Sequence, residues 1–192
     1  DRRAPAAVKA YARNHPHSMG AWSTDSKTRV ATMVDGDFRA TEVSVTIPSD
    51  DSLTIRFTPN GGGARELRSP VPVGAGAIAD ASVVQAAALD AFLAGAIKAA
   101  KAADVLLSVH LKATMMKVSD PIIFGHVVRA YFADVFEQYG DQLAAAGLSA
   151  NDGLAGILSG LDSVENGAEI KAAFEAGLAS GPALAMVDSD KG

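Results

Sequence analysis

The chain has 192 residues, 48% of them hydrophobic, enough to bury a sizeable core and short enough for one domain or one lobe of something larger. A formal net charge of −5 without a local Lys/Arg cluster disfavours nucleic acid as a partner, and no apolar run approaches the ~20 residues of a membrane span. Cysteine is absent, which excludes disulfides, thiolate metal sites and a cysteine nucleophile and fits a cytoplasmic setting.

Residues 3 to 13, RAPAAVKAYAR, form a predicted short helix with Pro5 in its first turn. It stops at NHPH, where Pro16 pushes His15 out of the α region. From Thr28 to Val73 the period is two: TRVATM, TEVSVTI, LTIRFT and ARELR, separated by VDGD, PSDDS and PNGGG, read as an antiparallel β meander over 28–73. Val43, Val45 and Ile47 line one face, and Leu53, Ile55 and Phe57 are expected to answer them from the next strand. Asp35-Gly36 is a tight-hairpin signal. SPVPVGAG is a connector, after which Ser82 caps an alanine-rich helix to Ala103.

The α/β portion over 80–192 continues with a strand at 105–111. There Val105, Leu107, Val109 and Leu111 face one side, and Leu106, Ser108, His110 and Lys112 share the other. Ser119-Asp120-Pro121 starts a helix to about Tyr139; helices near 141–147, 151–161 and 164–179 and a strand at 183–187 follow. The fold class is therefore α/β: an N-terminal antiparallel meander, then helix-strand-helix units on a mixed sheet with at least one parallel crossover. The start without methionine and the close on PALAMVDSDKG, a strand and turn, lead us to expect a piece of a longer chain.

Lys112 leaves its strand at the carboxyl end, where α/β proteins place ligands. There it either reaches solvent, like most lysines, or works: partial burial suits a lysine for proton transfer near a carbonyl, and a charged one holds a carboxylate. Lys117, in the turn that follows, reads as solvated. Of the charged opening Asp1, Arg2 and Arg3, at most one arginine serves a given site, and a guanidinium grips a carboxylate bidentately. His15 and His17 lack a third metal ligand at a defined spacing; His110 and His126 read as structural. Asp188 and Asp190 are two apart in MVDSDKG, a spacing common in plain turns. PNGGGAR precedes no helix, and GAGAIAD lacks the strand and third glycine of a dinucleotide fingerprint. No metal or cofactor ligand set emerges from the residues.

HLKATMMKVSDPIIFGH at 110–126, DRRAPAAVK at the start, HPHSMGAWS at 15–23, GDF at 36–38 and LAMVDSDKG near the end together resemble the monomeric NADP-dependent isocitrate dehydrogenases. The resemblance runs over all 192 residues, and members of that family are several-fold longer, so it implies a part of the large domain of such an enzyme and an isocitrate dehydrogenase-like fold. The family's reaction takes isocitrate to oxalosuccinate by hydride transfer to NADP, then to 2-oxoglutarate with Mg²⁺ or Mn²⁺. By that resemblance Lys112 matches the catalytic lysine and Arg2 an arginine that binds a substrate carboxylate. NADP, the metal and isocitrate would then be bound with residues beyond 1–192, the rest of the same polypeptide is the implied partner, and this piece alone is expected to be inactive. The rival is a non-catalytic α/β module that binds a carboxylate or a protein.

Overall fold

The computed structural model describes residues 4–18, 20–111 and 116–185. The chain divides into two compact units, Asp1–Val30 and Ala31–Gly192.

In the first unit, helix α1 (Ala6–Asn14) begins directly after Pro5, whose extended conformation makes it the N-cap. The helix closes on His15, whose N–H donates to the Tyr11 carbonyl at 2.8 Å and whose ring stacks on Tyr11 at 4.1 Å. Proline at position 16 ends the helix because its ring crowds the preceding residue out of the α region.

The second unit departs from the expected meander in its pairings. Residues 28–33 form no strand: alternation there meets no neighbouring edge, and β-propensity needs one. Met33 instead packs against the cluster of Leu89, Leu93 and Val127. Asp35-Gly36 makes no hairpin either. Gly36 takes a left-handed φ of +69° and its carbonyl accepts from the Gln85 N–H at 2.8 Å, while the Asp37 carboxylate accepts from the Ala40 N–H at 2.9 Å. That cap starts a single-turn helix, α2 (Phe38–Thr41). The Thr41 hydroxyl then bonds both the N–H and the carbonyl of Val83, tying α2 to the segment that enters the long helix.

Four strands follow: β1 (Val43–Thr46), β2 (Asp51–Phe57), β3 (Arg65–Val73) and β4 (Ile78–Ala81). β1 pairs with β4, from Val43↔Ala81 to Thr46↔Ile78. β2 pairs with β3 as a hairpin, from Asp51↔Val73 to Phe57↔Arg65. The face of Leu53, Ile55 and Phe57 is thus answered by β3 and not by Val43 and Val45. The reason lies in the turn after β1: the Asp50 carboxylate accepts from the Ala75 N–H at 2.9 Å, and Ile47 exchanges backbone bonds with Ala77 and Gly76. These bonds cross-link PSDD to VGAG and carry the chain away from β1. SPVPV is strand and not connector, because the free edge of a two-stranded sheet tolerates prolines that lack a donor.

Helix α3 (Ala86–Ala103) has its N-cap at Gln85, three residues after the Ser82 cap expected from sequence. It ends on Asp104 in the left-handed conformation, φ +51°. The Asp104 N–H donates to Ala100 and Lys101, and the Val105 N–H to Ala100 at 3.1 Å. This Schellman-type ending, made by an aspartate that tolerates left-handed backbone, turns the chain into segment 105–111.

The expected helix from Ser119 to Tyr139 breaks in two. α4 (Ser119–Tyr131) stops where Phe132 leaves helical geometry, and α5 (Ala133–Ala145) resumes. Tertiary packing overrides helix propensity here: the Phe132 ring enters the core edge-on to Phe174 at 5.0 Å, and the neighbouring Tyr131 hydroxyl donates to the Pro182 carbonyl at 2.6 Å. α6 (Gly153–Gly160), flanked by single 3₁₀ turns, and α7 (Gly167–Ser180) complete the helical layer. Phe174, Leu143, Ile157 and Ile170 are fully buried at its centre. Among the described residues the expected strands at 105–111 and 183–187 reduce to one isolated parallel bridge, Leu107↔Leu184, beside the two antiparallel pairs.

Two outcomes follow from this packing. Phe174→Ala removes a ring with no exposed surface and should cost about 3–5 kcal/mol of stability, read as a lower denaturant midpoint of the helical signal; a loss under about 1 kcal/mol would contradict this core. The Tyr139 hydroxyl donates to the Glu169 carboxylate at 2.7 Å; this bond first, then burial and the carboxylate's charge, raise its pKa. The folded state therefore keeps a proton that the unfolded chain releases near pH ~10, so stability is present below that pH and falls above it. Tyr139→Phe should flatten the fall in a urea titration repeated between neutral and alkaline pH; an unchanged slope counts against the assignment.

Candidate functional site

The stretch singled out by sequence lies between the parallel bridge and α4. Segment 105–111 is held at Leu107, whose N–H donates to the Ala183 carbonyl at 2.7 Å and whose carbonyl accepts from the Ala185 N–H at 3.2 Å. On its inner side Val109 packs against Leu89, Leu93 and Val127 of α3 and α4. Val105, Leu107, Val109 and Leu111 are half-buried, and Leu106, Ser108 and His110 are exposed, which is the alternation expected from the sequence.

Lys112 itself, Arg2, Asp188 and Asp190 lie outside the described residues. Beyond the lysine, Lys117 is exposed, as a solvated turn residue should be. Asp120 is the buried charged side chain among the described residues, at 7% exposure. It sits in the first turn of α4, where the positive end of the helix dipole favours a carboxylate, and its N–H donates to the Met116 carbonyl at 3.0 Å. The sequence marked Asp120 only as part of a helix-start signature; the signal for burial was its place between a proline-led amphipathic helix and the strand end, which composition alone does not weigh.

His126 has the structural role expected of it. From α4 its Nδ1 meets the Asp90 carboxylate of α3 at 2.6 Å, clasping the two helices that flank segment 105–111. His110, by contrast, stands exposed beside Ser108. His15 and His17 are exposed in the first unit. No group of three His, Cys, Asp or Glu side chains among the described residues is placed to hold a metal ion. The glycine-rich PNGGGAR is the loop of the β2–β3 hairpin, and GAGAIAD runs into β4 and not into a helix. Neither therefore offers the helix N-terminus that cradles a phosphate. No helix among the described residues is long and apolar enough to cross a membrane.

Chemically, the arrangement is the end of an extended segment braced on one side by two clasped helices and open on the other, with a hydroxyl and an imidazole on the open face. Such an end suits a residue that must meet a small ligand in a fixed position.

Comparison with known proteins agrees along the whole chain. The family model for monomeric isocitrate dehydrogenase matches residues 1–192. The isocitrate dehydrogenase (NADP) of Corynebacterium glutamicum is 57% identical over 192 residues, covering 100% of this chain and 26% of that protein. That of Corynebacterium efficiens is 56% identical over 192 residues with the same coverage, and that of Azotobacter vinelandii 45% over 194 residues, again 26% of its length. This chain thus spans 26% of the length of the curated relatives it matches. It belongs to the monomeric isocitrate dehydrogenase family.

Proposed function

We propose that this chain is the lysine-bearing part of the large domain of an NADP-dependent isocitrate dehydrogenase, with isocitrate as substrate and NADP and Mg²⁺ or Mn²⁺ as cofactors of the longer polypeptide. Lys112 moves the proton of the reaction. As a neutral amine it takes the hydroxyl proton of isocitrate, or, protonated, it returns a proton to the carbon that has lost carbon dioxide; NADP, when bound by the longer polypeptide, would accept the hydride. Arg2 grips a substrate carboxylate, for which a guanidinium's paired donors are the geometric match. The observation that supports this reading is the alternation of segment 105–111, half-buried on one side and exposed on the other, which is the pattern expected of the residues that lead into Lys112.

On this reading the chain contributes proton transfer by Lys112 and carboxylate binding by Arg2. The remaining ligands belong to the rest of the polypeptide, which is also the proposed partner of this piece. Support for that partner comes from the two small sheets. Val43, Val45, Leu53, Ile55, Phe57, Leu67 and Ile78 are all exposed, and a two-stranded sheet with bare apolar faces is marginal in water unless something covers it. A cytoplasmic location is part of the same proposal and rests on the cysteine-free composition.

In the full-length enzyme, Lys112→Met should lower kcat by about 10²–10⁴-fold, the usual worth of a positioned proton-transfer group, with the far-UV circular dichroism unchanged; turnover near that of the parent would rule the lysine out. The 192-residue piece alone, mixed with isocitrate, NADP and Mg²⁺, should form no NADPH by absorbance at the nicotinamide band. Clear turnover by the piece would overturn the division of labour.

A further inference from the structure

Segment 105–111, which precedes Lys112 in the chain, is held by one isolated backbone bridge, and that bridge hangs on a hydroxyl far along the chain. We propose that Tyr131 is a positioning residue for the reaction: its hydroxyl, donating to the Pro182 carbonyl, sets segment 183–185 against Leu107 and thereby fixes the segment 105–111 that leads to the proton-transfer lysine. The proposal rests on Lys112 being the proton-transfer group.

Three observations carry it. The Tyr131 hydroxyl lies 2.6 Å from the Pro182 carbonyl oxygen, and the very next residue, Ala183, is the one whose carbonyl takes the Leu107 N–H at 2.7 Å. Between α7 and this latch stands Gly181, whose φ of −79° any residue can adopt. A β-carbon there would run into the Tyr131 hydroxyl and ring, so the latch leaves room for glycine alone. Finally, Tyr131 is the last residue of α4, and α4 begins at Ser119, just after the lysine-bearing stretch. Both flanks of residues 112–118 are therefore anchored to one helix, the downstream flank by its first turn and the upstream flank through Tyr131, Pro182 and the bridge. Burial raises the tyrosine's pKa above its ordinary value, so the hydroxyl keeps its proton and goes on donating at neutral pH.

A group that merely stabilises the fold lowers the melting temperature and leaves kcat per folded molecule alone; a group that sets a reacting atom's position lowers kcat, because a misplacement of about 1 Å costs up to ~10²-fold. The test uses the full-length enzyme with Tyr131→Phe, which keeps the ring and removes the donor. Expected is a kcat lower by about tenfold with KM for isocitrate within about twofold, since carboxylate binding is assigned to Arg2. Gly181→Ala, which forces the hydroxyl aside from the opposite direction, should give the same selective loss and decides the matter should the first variant not fold. Parent-like kcat in either folded variant, whatever its melting temperature, overturns the proposal. Lys112→Met measured alongside separates the two claims: if it is dead while Tyr131→Phe is fully active, only the positioning role falls, whereas an active Lys112→Met removes the catalytic reading and this proposal with it.

Discussion

The packing of Phe132 against Phe174 is the contact on which the second unit turns. Phe174 comes from α7 and has no exposed surface; Phe132 comes from the break between α4 and α5 and meets it edge-on. Edge-to-face pairs of this kind gain somewhat beyond their buried area, but their larger effect here is geometric. With Phe132 committed to the core, the adjacent Tyr131 leaves the end of α4 in the other direction and reaches the chain emerging from α7. One buried ring thus interrupts a helix, and the interruption places a hydroxyl where the parallel bridge begins.

From there the chain of dependence runs outward toward solvent. The helical core holds α4; α4 and α3 are clasped by His126 and Asp90; the two helices back Val109; and the bridge at Leu107 holds segment 105–111 to the chain at Leu184. Each link is short-ranged and directional except the core, which supplies the bulk of the burial. The small sheets add nothing to this bracing that is buried within the chain; their apolar faces look outward, as pieces of a larger interior would.

Much of this was legible in the amino-acid sequence, and the failures have physical causes. The alternation of 105–111, the helix start at Ser119 and the helix end at His15 were readable because period, capping and proline's effect on its neighbour are local; the first helix starts at Ala6 and not at residue 3, since Pro5 is its N-cap. The hairpin through PNGGG was readable from its turn. The partner of β1 was not: Val43 and Val45 alternate properly whichever strand they pair with, and the choice was made by the Asp50 side chain bonding Ala75, 25 positions away. Asp35-Gly36 has the composition of a hairpin turn, yet the Gly36 carbonyl is claimed by Gln85, a contact no local window contains. The break at Phe132 was hidden for the same reason, since Tyr-Phe is an ordinary helical pair until Pro182 and Phe174 are in place. The assignments of Lys112 and Arg2 came from likeness to a family and not from periodicity, which by itself left the lysine a choice between solvent and service.

The most direct test of the account is a crystal structure of the full-length enzyme with isocitrate and NADP bound. The account predicts the Lys112 Nζ within hydrogen-bonding reach, ~3 Å, of the substrate's hydroxyl or of the carbon that takes the returning proton, with segment 105–111 still bridged to 183–185. An ammonium directed into bulk water, with the substrate held at another strand end, would contradict it.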